Sequence, residues 1–209
     1  RTSKANQIRG LVGEYGLVAP QRLAQLRAAV PLWLEDAENG LTSRFRRLLA
    51  GVWEDLVRLD ERVAELDQEI KAIAEASPAA QRLQQLRGVG PVIATALVAA
   101  LGDGRAFSKG RDFAVSLGLT PRQHSSGGRA HLMGISKRGD GYLRQLLVHG
   151  ARAAVRTAKH HDDALSRWVQ RLDARKHTNV VVVALANKTA RMAWALIHNE
   201  VNYEPRLAA

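Results

Sequence analysis

Apolar positions recur along this chain mostly at helical spacing. The clearest run covers residues 41–76, where Leu49, Val52, Leu56, Leu59, Val63, Leu66, Ile70 and Ile73 alternate in steps of three and four. A stripe of that period predicts one long helix with a coiled-coil seam. Arg58, Asp60, Glu61, Arg62, Glu65, Asp67, Glu69 and Lys71 fill the other faces and read as solvated, and Trp53 sits beside the seam. An ordinary amphipathic helix packed on its own domain would carry the same stripe, so both readings stand. Ser77-Pro78 ends the helix, because the residue before a proline is pushed out of helical geometry.

Ahead of that helix, residues 1–18 read as a helix end and a turn. Residues 21–29 read as a short helix between Pro20 and Pro31, and Asn39-Gly40 is a stop signal. Behind it, short apolar repeats predict helices over 79–86, 91–101, 110–117, 142–158, 163–175 and 179–198. Val180–Val183 is β-branched but leads straight into strong helix formers, so it reads as helix. Residues 120–141 are polar and glycine-rich and read as a long loop or a short hairpin. The expected fold is therefore mainly α. Residues 1–40 connect, residues 41–78 form the coiled-coil helix, and residues 79–205 form a compact helical domain.

Composition narrows the function. The chain has 209 residues, no cysteine and a formal net charge of +11. The missing cysteines exclude disulfides, a thiolate nucleophile and Cys-ligated zinc. The apolar stretch 91–101 is too short to span a bilayer, and no longer uninterrupted apolar run occurs, so no membrane partner is expected. The charge points to a polyanion, and it is unevenly placed. Residues 121–175 hold eleven Lys or Arg against four Asp, whereas residues 41–76 hold six basic and eight acidic side chains. The polyanion surface is expected beyond the coiled coil.

Three motifs carry candidate chemistry. In Leu86-Arg87-Gly88-Val89-Gly90-Pro91, a helix stops, a tight turn follows and a second helix opens. Gly88, Val89 and Gly90 then read as a helix-hairpin-helix turn whose free amides face a phosphate, or as a plain helix pair with a glycine stop. In Pro121-Arg122-Gln123-His124-Ser125-Ser126-Gly127-Gly128-Arg129, a serine and two glycines lie between Arg122 and Arg129. A serine nucleophile needs exposure, a permissive backbone and cations to stabilise a phosphodiester transition state; a Gly/Ser linker has the same composition. In Ile135-Ser136-Lys137-Arg138-Gly139-Asp140, a basic loop enters a helix. Lys137, Arg138 and Arg144 read as phosphate contacts and Asp140 as the helix cap, against a simply solvated loop.

Together and in this order, the motifs resemble the serine-dependent transposases of the insertion sequence 110 group (the 116/110/902 family), and within it the insertion sequence 1111 branch. The likeness extends to Glu35–Leu41, Asp163–Trp168 and Val183–Lys188. It implies a bacterial, cytoplasmic enzyme that cleaves and rejoins DNA. The catalytic serine precedes a glycine ahead of the Ile-Ser-Lys-Arg-Gly element, which points to Ser126, with Ser125 as the neighbouring alternative and Ser136 a more distant one. It further implies a bridge RNA that supplies sequence choice, a homo-oligomer through the coiled coil, and a ribonuclease-H-like (RuvC-like) domain whose acidic residues bind Mg2+. No counterpart of that domain is expected in these residues. Asp60, Glu61 and Glu65 read as helix surface, and Asp162 and Asp163 as a helix start. The chain thus reads as the C-terminal part of such an enzyme, either a piece of a longer protein or a decayed gene copy. It is expected to bind nucleic acid without completing strand exchange and to hold no cofactor itself. Two other classes compete: a non-catalytic nucleic-acid-binding module with a helix-hairpin-helix and a coiled-coil dimeriser, and a structural helical protein whose charge is incidental.

Overall fold

The structure is a computed structural model that describes residues 1–126 and 129–205, with the backbone alone at residues 125, 126, 129 and 130. It is mainly helical and divides into two compact units, Arg1–Gln68 and Glu69–Ala209.

The first unit holds α1 (Thr2–Gly13), α2 (Leu23–Glu35) and most of α3 (Ser43–Ala76). Its core joins Ala5, Ile8 and Val12 of α1, Leu26 and Val30 of α2, and Phe45, Leu49, Val52 and Leu56 of α3. The first half of the apolar seam is thus covered from within the unit. The second half is not: Leu59, Leu66 and Ile73 are 39%, 41% and 53% exposed. The sequence ends the second helix before Pro31, yet α2 runs through it. Proline inside a helix costs roughly 3 kcal/mol. Burial of Leu26 and Val30 and packing of Trp33 and Leu34 offset that cost.

Arg46 closes the turn between α2 and α3. Its guanidinium donates to the carbonyls of Leu41 (3.2 Å), Trp33 (2.9 Å), Leu34 (2.9 Å) and Asp36, and to Asn39 Oδ1 (2.7 Å). Of these, the Trp33, Leu34 and Asp36 carbonyls lie where the end of α2 leaves acceptors without intrahelical partners, and Trp33 O also accepts from Asn39 Nδ2 (2.7 Å). Asp60 is more than solvated surface, because it accepts from Arg1 (3.2 Å) and Arg27 (2.5 Å).

The second unit holds the end of α3, then α4 (Pro78–Gln84), α5 (Pro91–Leu101), α6 (Gly110–Ser116), the hairpin β1 (Pro121–Ser126) and β2 (Arg129–Ile135), α7 (Gly141–Thr157), a short 3-10 turn (Ala158–His160), α8 (Ala164–Asp173) and α9 (Thr178–His198). By length and composition, α9 is apolar enough to cross a membrane, a property not evident from uninterrupted apolar runs. Here it is the core helix. Val181, Val182, Leu185, Ala186, Ala190, Ala193, Leu196 and Ile197 are buried in one cluster with residues of α4 to α8. Its early valines are helical, as the following helix formers predict.

Helix starts follow the sequence. Ser77 caps α4 by accepting from Ala80 N, and Pro78 and Pro91 stand at the starts of α4 and α5. Asp140 caps α7 through Leu143 N (2.9 Å), as expected. Asp163 caps α8 through Ser166 N (3.0 Å).

The turn between α4 and α5 packs tightly on α7. Gly88 has φ +82°, and a Cβ there would lie 2.8 Å from the Gly150 carbonyl carbon and overlap its oxygen. Gly150 sits reciprocally against the Gly88 carbonyl, with Ile93 Cδ1 2.9 Å from an added Cβ.

Candidate nucleic-acid interface

The region that the sequence leaves as loop or hairpin is a two-stranded antiparallel ribbon. Gln123 pairs with Leu132, His124 with His131, Ser125 with Ala130 and Ser126 with Arg129, with an irregularity between Pro121 and Gln123. Ser126 is therefore the last residue of β1 and faces Arg129 across the tip in register. The side chains of Ser125, Ser126 and Arg129 lie outside the described residues, as does the Gly127-Gly128 pair. Nearer the base, every side chain from Pro121 to His124 and from His131 to Gly134 is exposed. A ribbon open on both faces has no core of its own, so its base must be held by its neighbours.

That hold comes from the basic loop after β2. Ser136 N donates to Thr120 O (2.8 Å), Lys137 N to Gly118 O (3.2 Å) and Asp140 N to Ser116 O (3.4 Å), which latches the loop to the end of α6. Gly139 makes the approach possible: at φ +90°, a Cβ there would overlap the Ser116 carbonyl. Lys137 has φ +56°, a left-handed conformation that a non-glycine residue holds at roughly 1–2 kcal/mol. Such strain collects where the backbone must aim a side chain. Lys137 and Arg138 are exposed, and among the described residues neither forms an ion pair. Arg144 differs, because it is half-buried and donates to Leu117 O (2.9 Å), so it braces the same α6 end.

Arg122, Ser136 and Lys137 converge on one cavity of about 750 Å3. Its other wall is α9, which contributes Asn179, Val183 and Asn187. Asn187 also ties α9 to the hairpin base, donating from Nδ2 to Leu119 O (3.2 Å). Sequence reasoning assigns no role to Asn179 and Asn187, which lie more than forty residues beyond the hairpin. The Val183–Lys188 stretch is the signal that contains Asn187.

The glycine turn does not line this cavity. Gly88 is occupied by packing on α7, and Val89 is buried. Gly90 is exposed and precedes α5, whose first amides lie outside the intrahelical ladder. Beside the turn, Arg87 donates to Asp163 (2.8 Å) and to the Ser166 hydroxyl. Burial alone would raise the Asp163 carboxyl. Hydrogen bonds from the Ser166 amide and hydroxyl, together with Arg87, outweigh it and bring its pKa down to about 2. Asp162 pairs with Arg167 (2.8 Å). Both carboxylates are thus committed to arginines, and the described residues hold no group of three or more His, Asp or Glu able to bind a metal ion.

The profile of the transposase IS116/IS110/IS902 family matches residues 80–166. A probable family 20 transposase of Pseudomonas aeruginosa is 46% identical over 206 residues, 98% of this chain and 61% of that protein. The transposase for insertion sequence element IS1111A of Coxiella burnetii is 41% identical, over 97% of this chain and 56% of its own length. The transposase for insertion sequence element IS1328 of Yersinia enterocolitica is 39% identical, over 94% and 58%. The chain therefore spans little more than half of the curated relatives it matches.

Proposed function

This chain belongs to the IS116/IS110/IS902 transposase family, and from that premise we propose that its second unit is the serine-bearing DNA strand-transfer domain of a transposase. The observation that carries this reading is the ribbon itself. A hairpin ends β1 at Ser126, and its base is latched to a loop whose exposed Lys137 and Arg138 form no ion pair among the described residues.

In the proposed step, the Ser126 hydroxyl attacks a DNA phosphorus. A Ser–O–P bond forms, one P–O bond to the DNA strand breaks, and the serine proton passes to the departing DNA oxygen, directly or through water. A hydroxyl of a second strand then attacks the phosphoserine, which rejoins DNA and restores the serine. Both steps exchange one phosphodiester for another, so no external energy source is needed. Arg122, Lys137 and Arg138 offset charge on the phosphate oxygens and hold the backbone. The α4–α5 pair acts as a helix-hairpin-helix that grips backbone through the amides beside Gly90.

The Mg2+ of the family does not fit the described residues: Asp162 and Asp163 are engaged by arginines, Asp140 caps α7, and no group of three or more His, Asp or Glu could hold a metal ion. No step here runs through a metal. A bridge RNA choosing the DNA sequence belongs to the same proposal, as does pairing of two copies through the exposed Leu59–Ile73 half of the α3 seam.

The test uses a transposase of the relatives' full length. Ser126→Ala should abolish the covalent protein–DNA adduct while leaving RNA and DNA binding near the starting level. An adduct that survives Ser126→Ala but not Ser125→Ala moves the nucleophile by one residue. Binding without any adduct favours the non-catalytic module.

A further inference from the structure

A second cationic site lies away from the hairpin. Lys109, Arg111, Lys188 and Arg191 line a cavity of about 460 Å3, floored in part by Trp194. No carboxylate among the described residues lines it. Among the described residues, none of the four cations forms a salt bridge. The acid beside them in sequence, Asp112, accepts from the Ser108 hydroxyl at 2.8 Å.

The fold brings these four together over a wide sequence separation. Gly110 lets the start of α6 lie against α9: a Cβ there would fall 2.9 Å from Arg191 O and 3.1 Å from the Trp194 ring. Trp194 Nε1 donates to Gly104 O (2.9 Å) and Phe107 O (3.2 Å), pinning the preceding loop to the same helix. Lys188 lies with its ammonium 5.1 Å from the centre of the Trp168 ring. Lys188 also lines a neighbouring cavity that includes Glu204, whereas Lys109, Arg111 and Arg191 are gathered with no counter-charge among the described lining residues, which opposes folding. A ligand that brings negative charge relieves that opposition.

We propose that this cavity binds the phosphodiester backbone of a nucleic-acid strand, as a contact separate from the serine hairpin. The proposal rests on the reading that the second unit binds nucleic acid. Two arginines and two lysines offer guanidinium forks and ammonium point charges to phosphate oxygens. α9 links the two sites, since Asn187 lines the hairpin cavity and Lys188 lines this one. A strand held at the hairpin would then have a second anchor along the same helix.

The experiment measures binding of the 209-residue chain to a short fluorescent DNA duplex, to its single strand and to the RNA of the same sequence, by anisotropy across a salt series. The variants are Lys109→Gln/Arg111→Gln and Lys188→Gln/Arg191→Gln. Arg58→Gln/Arg62→Gln in the first unit is the charge-matched control. Each cavity pair should lower the slope of log affinity against log salt by roughly 0.7–0.9 per lost phosphate contact, with no change in circular dichroism. The first pair lies on exposed side chains and keeps the test open if the second disturbs the Trp168 contact. The arm with the largest loss identifies the strand as duplex DNA, single-stranded DNA or RNA. Slopes that match the control overturn the proposal. If Lys137→Gln/Arg138→Gln lowers the slope while the cavity pairs do not, this site falls and the hairpin reading stands. Absence of binding to all three probes at low salt overturns both.

Discussion

Gly88 and Gly150 meet backbone to backbone, each occupying the space that the other's Cβ would need. A turn between two short helices is thereby seated on the middle of α7. Gly150→Ala should destabilise the chain by about 1–3 kcal/mol, the usual range for overpacking. Gly88→Ala should cost more, because its φ of +82° adds backbone strain. Urea unfolding of the two variants checks this. If Gly150→Ala were neutral, Gly88 would be needed for something other than packing.

Arg46 gathers the Trp33, Leu34 and Asp36 carbonyls at the end of α2, and the Leu41 carbonyl ahead of α3, onto one guanidinium. Arg46→Met keeps the stem and removes every donor. The expected loss is about 2–4 kcal/mol because the Leu34, Asp36 and Leu41 carbonyls lose this donor, while Trp33 O keeps Asn39 Nδ2. Arg46→Lys should recover only part of it, since one ammonium cannot reproduce the fork. Equal stability of the lysine variant and the parent, by thermal melts, would show that charge alone suffices.

Asp163 has a folded pKa of about 2, below the ordinary carboxylate value of 3.8. Its contribution is therefore complete above about pH 4 and is lost as pH falls through 2. The shift corresponds to about 2 kcal/mol. Between pH 4 and 2, Asp163→Asn should show a shallower fall in melting temperature than the parent. Parallel curves would show that the Arg87 pair adds nothing to stability.

Lys137 separates conformation from charge. Lys137→Gly relieves a left-handed backbone and removes one cation. Stability should stay within about 1 kcal/mol of the parent, while the salt slope of DNA binding should fall by about 1. An unchanged slope would remove Lys137 from the interface.

Much of this protein was legible in its sequence because the relevant signals are local. The alternation of threes and fours from Leu49 to Ile73 specifies one helix whatever surrounds it. Pro78, Pro91, Asp140 and Asp163 mark helix starts because capping involves only neighbouring residues. The ordered motifs from Gly88 to Lys188 placed the chain in its family. Tertiary structure decided what depends on distant partners. It covered the first half of the α3 seam and left Leu59, Leu66 and Ile73 open. It carried α2 through Pro31 because buried Leu26 and Val30 outweigh one lost amide. It turned the open-ended stretch around Ser126 into a ribbon by latching Lys137 to Gly118. And it set Lys109 and Arg111 beside Lys188 and Arg191, nearly eighty residues away. Periodicity reports which face of a helix seeks burial, but only packing determines what buries it.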